Sequence, residues 1–309
     1  MKKVLSIDGG GIRGLIPALV LAEIEERTKK KIGQCFDLIA GTSTGGILAL
    51  GLSSKDDLGL PKYSAADLSN IYVSRGKDIF SRSFWKGISS VGGVSDELYS
   101  SKGLEEVLDE YFGDEPLGAC LTNTLITAYD IQNREPVFLK SWKSDHRPVP
   151  MKFAARATSA APTYFEPALV PIGGSIKALV DGGVFVNTPT VSAYAEAKKL
   201  WPEEKEFFVL SLGTGELNRT IPYRDAKGWG KVGWLNPLLG CMFDGMSDAA
   251  HYQMQMFLGS DYIRLQASLT YASDDMDNAS NGNLENLKAE ARMLLKTHAD
   301  EIKSVCGRL

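Results

Sequence analysis

The sequence predicts an α/β protein with a parallel or mixed sheet and helices on both faces of that sheet. Apolar, β-branched runs end in glycine turns and alternate with helical patterns: "KVLSI", a helix from Pro17 to Lys30, "FDLIA", and then a second helix. The chain has 309 residues, 44% of them hydrophobic, and can therefore bury a large core. We expect one domain over residues 1–309, with the core motifs within about 4–215 and residues 216–309 packing on them.

The order of elements follows from local signals. Pro17 suits the first turn of the first helix, and Lys29, Lys30 and Lys31 suit its negative C-terminal end. The second helix is predicted from Thr44 onward. Further strands are predicted at "TLITAYD", "PVFLKS", "IKALVD", "FFVLSLG" and "YIRLQ". Further helices are predicted over residues 64–77, 101–112, 148–159, 190–200, 240–257 and 284–305.

Charge and composition narrow the class of protein. The formal net charge is −4, which gives no overall basic field for a nucleic-acid polymer or anionic lipid, so any membrane contact must be local. The apolar run "GLIPALVLAEI" is too short to span a bilayer, and "MKKVLSID" resembles a signal peptide only as far as Asp8. We therefore expect a cytoplasmic protein. Its cysteines lack the close pairs of a zinc site, and the carboxylates of "ASDDMDNASNGN" lack the spacing of a calcium loop.

The first glycine-rich turn, in "VLSIDGGGIRG", has two possible uses. Gly9-x-Gly11-x-x-Gly14 matches the dinucleotide-binding fingerprint between a strand and a helix. Alternatively, the consecutive amides of Gly9, Gly10 and Gly11 hold a negative charge that exists only during a reaction. In that case Arg13 adds positive charge or braces the loop.

The second glycine-rich turn favours the reaction over the cofactor. "FDLIAGTSTGG" places Ser43 between Gly41 and Gly45, in the G-x-S-x-G pattern and the strand-turn-helix context of a nucleophile elbow. A bland alternative is a glycine turn with a helix-capping serine. Dinucleotide binding expects an acidic residue near the end of this strand, but Asp37 lies at its beginning. The pattern therefore indicates a serine nucleophile and an oxyanion site.

The general base is less obvious. The sequence has three histidines, His146, His251 and His298, and none follows a strand in a glycine turn. Asp181 in "IKALVDGGVFVN" ends an apolar strand and precedes two glycines, where a partly desolvated carboxylate can accept the serine proton. The alternative is a turn-capping aspartate.

The motifs "DGGGIRG", "GTSTGG" and "DGG", in this order, resemble those of the patatin-like lipid acyl hydrolases, which are related in catalytic logic to cytosolic phospholipase A2. The resemblance also covers "ARATSAAPTYFEP" and "LSLGTG". It implies a three-layer α/β/α fold with a mostly parallel central sheet, and hydrolysis of acyl esters of phospholipids or other glycerolipids without metal or cofactor. It further implies that Ser43 is the nucleophile, that Asp181 is the general base of a Ser-Asp dyad, and that Gly9 to Gly11 with Arg13 form the oxyanion loop.

Two aromatic pairs lie outside these motifs. Tyr164 and Phe165 either line an acyl pocket or pack in the core. Trp229 and Trp234 lie within residues 219–243, where basic and aromatic residues precede an apolar helix start. That composition suits a lid or a peripheral membrane contact, and a buried loop explains it equally well.

Other functions remain open at this stage. A lipid-binding scaffold without catalysis fits the same motifs, and a dinucleotide-binding oxidoreductase fits the first glycine turn alone. Some similar bacterial patatin-like enzymes are effectors that cyclic dinucleotides switch on during phage defence. The compact length, and a chain that starts at the first strand, suit that subgroup, so a cyclic dinucleotide is a possible activator.

Overall fold

A mixed sheet of eight strands forms the centre of the structure, a computed structural model that describes residues 1–79, 100–216 and 220–309. The strands are β1 (Lys2–Ile7), β2 (Leu38–Gly41), β3 (Asn123–Asp130), β4 (Glu135–Lys140), β5 (Ala168–Ile172), β6 (Ser175–Asp181), β7 (Phe207–Leu212) and β8 (Tyr262–Leu265). Their order is β5-β6-β3-β2-β1-β7-β8, with β4 also paired to β3. The neighbouring strands β3, β2, β1, β7 and β8 are parallel to one another, whereas β4 and β6 are antiparallel to β3. The predicted mostly parallel sheet is confirmed.

Helices cover both faces of the sheet. They are α1 (Leu15–Thr28), α2 (Thr44–Ser53), α3 (Ala65–Ile79), α4 (Ser101–Phe112), α5 (Met151–Thr158), α6 (Thr190–Leu200), α7 (Tyr223–Ala226), α8 (Lys231–Leu258), α9 (Asn281–Thr297) and α10 (Ala299–Arg308). Because side chains alternate along a strand, Leu5 and Ile7 of β1 join the large core under α1 to α5, α9 and α10, while Val4 joins a smaller core under α6 and α8. The three-layer α/β/α prediction is therefore confirmed.

The structure corrects three predicted elements. β5 was not predicted, because its sequence "ALVPI" contains Pro171; as an edge strand it tolerates a residue without an N–H. The predicted helix 240–257 begins earlier, at Lys231, and keeps Pro237 inside it. The predicted helix 284–305 is two helices that meet at His298. No helix within the described ranges is both long enough and apolar enough to cross a membrane.

The pairing of β3 brings two loops together. Ala128 of β3 pairs with β4 on one edge and with Asp181 of β6 on the other. Leu125 of β3 also pairs with β4 on the first edge, and it pairs with β2 on the second. β2 and β6 therefore lie along the same edge of β3. They run toward each other there, because β2 is parallel and β6 antiparallel to β3. Gly41 ends β2 opposite Ile126, only two positions from Ala128, or about 7 Å along the strand.

Candidate active site

Ser43 lies in a strained turn between β2 and α2. Its backbone has φ 54° and ψ −124°, a conformation that residues with a side chain rarely adopt. Two close approaches hold the turn: a Cβ on Gly41 would collide with the backbone of Gly45, and one on Gly45 would collide with the carbonyl of Ile7. The Ser43 N–H donates to the Thr158 hydroxyl at 2.9 Å. The half-buried serine is thus fixed at the N-terminus of α2, as a nucleophile elbow requires.

Asp181 lies close to Ser43. The carboxyl group is at the end of β6, with the residue only 5% exposed. Burial raises the pKa of Asp181 to about 6, although the nearby Ser43 side chain and the hydrogen bond from the Gly183 N–H favour the ionised form. The Gly183 N–H donates to Oδ1 at 2.7 Å. At neutral pH the side chain is therefore a carboxylate of raised basicity, close to the Ser43 side chain.

The glycine loop after β1 lies against the elbow. A Cβ on Gly9 would be 3.2 Å from the Ser43 Cβ. The Gly9 N–H donates to the Asn187 carbonyl at 3.1 Å, so it is not available to an oxyanion. Within the described residues, no protein acceptor takes the N–H groups of Gly10 and Gly11. Of the three glycines predicted as oxyanion donors, Gly10 and Gly11 therefore have N–H groups that no described residue accepts.

Arg13 braces this loop. Its guanidinium donates to the carbonyl oxygens of Gly10 and Gly215, at 3.4 Å in each case. Burial lowers the pKa of Arg13, and the nearby Asp274 and Asp244 oppose that shift. Of the two uses that the sequence allowed, the geometry supports the brace.

A buried ion pair anchors the start of the same loop. Asp8, 2% exposed, accepts hydrogen bonds on Oδ2 from Arg264 at 2.7 Å and from Thr188 at 2.8 Å. Arg264 on β8 also donates to Ser211 of β7 and Ser247 of α8. Burial raises the pKa of Asp8, and the charge of Arg264 opposes that shift. The pair therefore ties the glycine loop to β8 and to α8.

The aromatic residues divide between core and surface. Phe165 is 6% exposed and packs in the large core. Tyr164 packs partly against that core, and burial raises its pKa. Trp229 and Trp234 contact each other edge to face, with ring centroids 5.2 Å apart. Trp234 is 37% exposed and lies in helix α8 rather than in a loop. The first residue of that predicted segment, Arg219, lies outside the described residues.

All three histidines are described, and each has a hydrogen-bond partner away from Ser43 and Asp181. His146 accepts the Lys140 N–H on Nδ1 at 3.1 Å, and burial, aided by nearby lysines, lowers its pKa to about 4. His251 lies 3.3 Å from the Tyr262 hydroxyl, and His298 lies 3.4 Å from Glu301. In the described part of the chain, no group of three or more histidine, cysteine or acidic residues is placed to hold a metal ion.

Sequence reasoning missed the residues that support this site. Thr158, Asn187 and Arg264 make contacts over 115, 178 and 256 positions of sequence. The weak signals were "ARATSAAPTYFEP", which contains Thr158, and "DGGVFVN", which ends at Asn187. Arg264 had no signal beyond being a charge inside a predicted strand.

Comparison with known proteins gives a consistent result. Residues 5–194 match the family model described as patatin-like phospholipase. Patatin-like protein 2 of Oryza sativa subsp. indica is 31% identical over 353 aligned positions, covering 99% of this chain and 87% of the rice protein. Patatin group M-3 of Solanum tuberosum is 32% identical, covering 96% of this chain and 84% of the potato protein. Human GIVD cytosolic phospholipase A2 is a distant structural match, with 12% identity, a TM-score of 0.48, and coverage of 99% of this chain and 60% of that one.

Proposed function

This chain belongs to the patatin-like phospholipase family, and from that premise we propose that it hydrolyses fatty-acyl esters of membrane glycerolipids through Ser43 and Asp181. Family membership supports lipid acyl hydrolysis in general. The specific proposal is carried by one observation: a buried carboxylate of raised pKa lies close to a serine that is held in a strained elbow.

The proposed first half-reaction forms an acyl-enzyme. Asp181 accepts the proton of the Ser43 hydroxyl while the oxygen attacks the ester carbonyl carbon. The N–H groups of Gly10 and Gly11 stabilise the oxyanion, supplemented by the dipole of α2. When the tetrahedral intermediate collapses, the C–O bond to the glycerol oxygen breaks, and Asp181 returns the proton to that oxygen. A lysolipid leaves.

The second half-reaction uses the same groups with water. Asp181 takes a proton from water as the water oxygen attacks the acyl carbonyl, and the two amides again stabilise the oxyanion. Collapse breaks the bond to the Ser43 oxygen, which regains a proton from Asp181. A fatty acid leaves and the enzyme is restored. This chemistry needs no cyclic-dinucleotide activator, a regulatory hypothesis that rests on family resemblance alone.

Two other functions fit the site less well. Dinucleotide binding needs an acidic side chain at the carboxyl end of β2, whereas Asp37 lies before β2 and pairs with Lys2 at 2.7 Å. A non-catalytic lipid-binding scaffold leaves the strained backbone of Ser43 and the raised pKa of Asp181 without a purpose.

Incubation of the protein with phosphatidylcholine, phosphatidylglycerol and a soluble chromogenic acyl ester tests the proposal. We expect free fatty acid and lysolipid from at least one phospholipid, and a burst of chromophore from the soluble ester. Binding of lipid without release of fatty acid from any of these substrates would instead establish the scaffold.

The pH dependence distinguishes an aspartate base from a histidine base. Because Asp181 must be ionised to accept a proton, and its pKa is about 6, we expect kcat/KM for the soluble ester to fall as pH drops below about 6. The triple variant His146→Gln, His251→Gln, His298→Gln should keep that acid limb and a rate within about tenfold of the parent.

Each single histidine variant serves as a folding control, measured by circular dichroism and thermal melting. If one well-folded histidine variant is as inactive as Ser43→Ala, that histidine is the base. Asp181 would then act as its orienting partner.

A further inference from the structure

Helix α8 has an exposed face without charge along most of its length. Positions three or four residues apart fall on the same side of a helix. On α8 such a series consists of exposed, uncharged residues: Trp234, Leu238, Met242, Gly245, Ala249, Tyr252 and Met256. We call this set the α8 stripe. It spans about 33 Å, and a helix facing water ordinarily places charged residues there.

The opposite side of α8 attaches the helix to the protein. Ala250 and Met254 are buried, and Ser247 accepts a hydrogen bond from Arg264 at 2.9 Å. The α8 stripe therefore faces away from the core: Leu238 is 47% exposed and Met256 68% exposed. The helix presents apolar surface on two sides, of which the protein covers one.

The segment before the α8 stripe has the opposite charge balance from the whole chain. Residues 220–233 contain three basic side chains and one acidic one, Asp225, although the chain carries a net charge of −4. Two of the basic residues, Arg224 and Lys227, are exposed beside Tyr223, which is 76% exposed. Basic and aromatic side chains next to an apolar helix face are typical of segments that lie in the interface of an anionic bilayer.

We propose that the α8 stripe, with Arg224 and Lys227, docks this protein on the surface of a bilayer containing anionic phospholipid, an inference that rests on the proposed lipid hydrolysis for its purpose. The position of α8 relative to the site supports it. A Cβ on Gly183, two residues from Asp181, would be 3.8 Å from the ring of Phe243, which neighbours Met242 of the stripe. A docked helix thus separates the bilayer surface from the loop that follows Asp181 by about one helix diameter, roughly 10 Å.

Binding is measured in the Ser43→Ala background, so that lipid hydrolysis does not alter the vesicles. The test variant is Leu238→Glu with Met242→Glu. The matched control is Leu169→Glu with Met293→Glu, the same two substitutions at exposed positions on β5 and α9 (68% and 53% exposed). In co-sedimentation with phosphatidylcholine vesicles containing phosphatidylglycerol, we expect the test variant to lose at least about tenfold in partitioning and the control to match its parent.

A separate variant tests the two basic residues. Arg224→Gln with Lys227→Gln should lower partitioning onto the anionic vesicles by about fivefold per charge, with no effect on pure phosphatidylcholine vesicles. Equal binding by the stripe variant and its control overturns the proposal. The proposal is also overturned if neither protein binds vesicles, the parent is a dimer in solution and the stripe variant is a monomer. The α8 stripe is then an interface between two copies of the chain.

A second readout separates this proposal from the proposed function. With Ser43 intact, the stripe variant should hydrolyse a soluble ester within about twofold of the parent, since the α8 stripe faces away from the catalytic pair. Vesicle binding with no ester hydrolysis by the parent would reject the enzyme and keep the docking surface. Ester hydrolysis by the parent with no vesicle binding would keep the proposed enzyme and reject the docking surface.

Discussion

Ser43→Ala is expected to abolish ester hydrolysis, lowering kcat by at least about a thousandfold, while the protein stays folded. Loss of the hydroxyl removes the atom that forms the acyl-enzyme. Alanine keeps the same Cβ, so the backbone conformation at φ 54° is no more strained than in the parent. Steady-state hydrolysis of a soluble ester measures the loss of activity, and a thermal melt shows whether the protein stays folded.

A matched control is available on the same helix. Ser53 ends α2, is fully buried, and its hydroxyl has no hydrogen-bond partner among the described residues. Ser53→Ala therefore removes a buried serine hydroxyl without touching the site, and it should retain full activity. Residual turnover in Ser43→Ala comparable to that of Ser53→Ala would mean that Ser43 is only a turn residue.

Asp181→Asn is expected to lower kcat by at least about a thousandfold without destabilising the protein. The amide has the shape of the carboxylate but cannot accept a proton. Because the pKa of Asp181 is raised to about 6, its contribution to stability is lost as pH rises through that value. Above pH 6 the parent buries a carboxylate and the variant does not, so the variant should melt at the same temperature as the parent or higher.

Asp130→Asn should have the opposite effects on activity and on stability. Asp130 also ends a strand and is buried, but hydrogen bonds from Lys177 and Asn133 outweigh the effect of burial and lower its pKa to about 2. Its ionised form stabilises the fold above its unfolded pKa, and that contribution is lost as pH falls toward 2. At neutral pH this variant should melt lower and remain active. Full activity in well-folded Asp181→Asn would reduce Asp181 to the turn-capping role that the sequence allowed.

The two residues of the proposed dyad were predictable because each lies in a local motif with a physical cause. Ser43 needs small neighbours in a tight turn, and Asp181 follows an apolar strand. Their proximity was not predictable from spacing. It arises because β2 and β6 meet on one edge of β3, and register between distant strands is set by tertiary packing.

The contacts that support the site were not predictable from the sequence for the same reason. That the Gly9 N–H is already taken by the Asn187 carbonyl follows only from how the loop after β6 folds over the loop after β1. The α8 stripe was partly hidden because Pro237 delays the apparent start of the helix in a sequence-based prediction. Local patterns thus predicted the proposed reacting groups, while long-range packing determines which amides and surfaces lie beside them.

The acyl-enzyme is the most direct test of the central claim. Rapid acid quenching of the protein during turnover of a phospholipid or slow-deacylating ester, followed by peptide mass spectrometry, locates the acyl group. We predict one acyl chain on Ser43 in the parent, and none at that peptide in Ser43→Ala or, on the same timescale, in Asp181→Asn. Turnover by the parent with the acyl group on another residue, or undiminished acylation of Ser43 in Asp181→Asn, would contradict the proposed dyad.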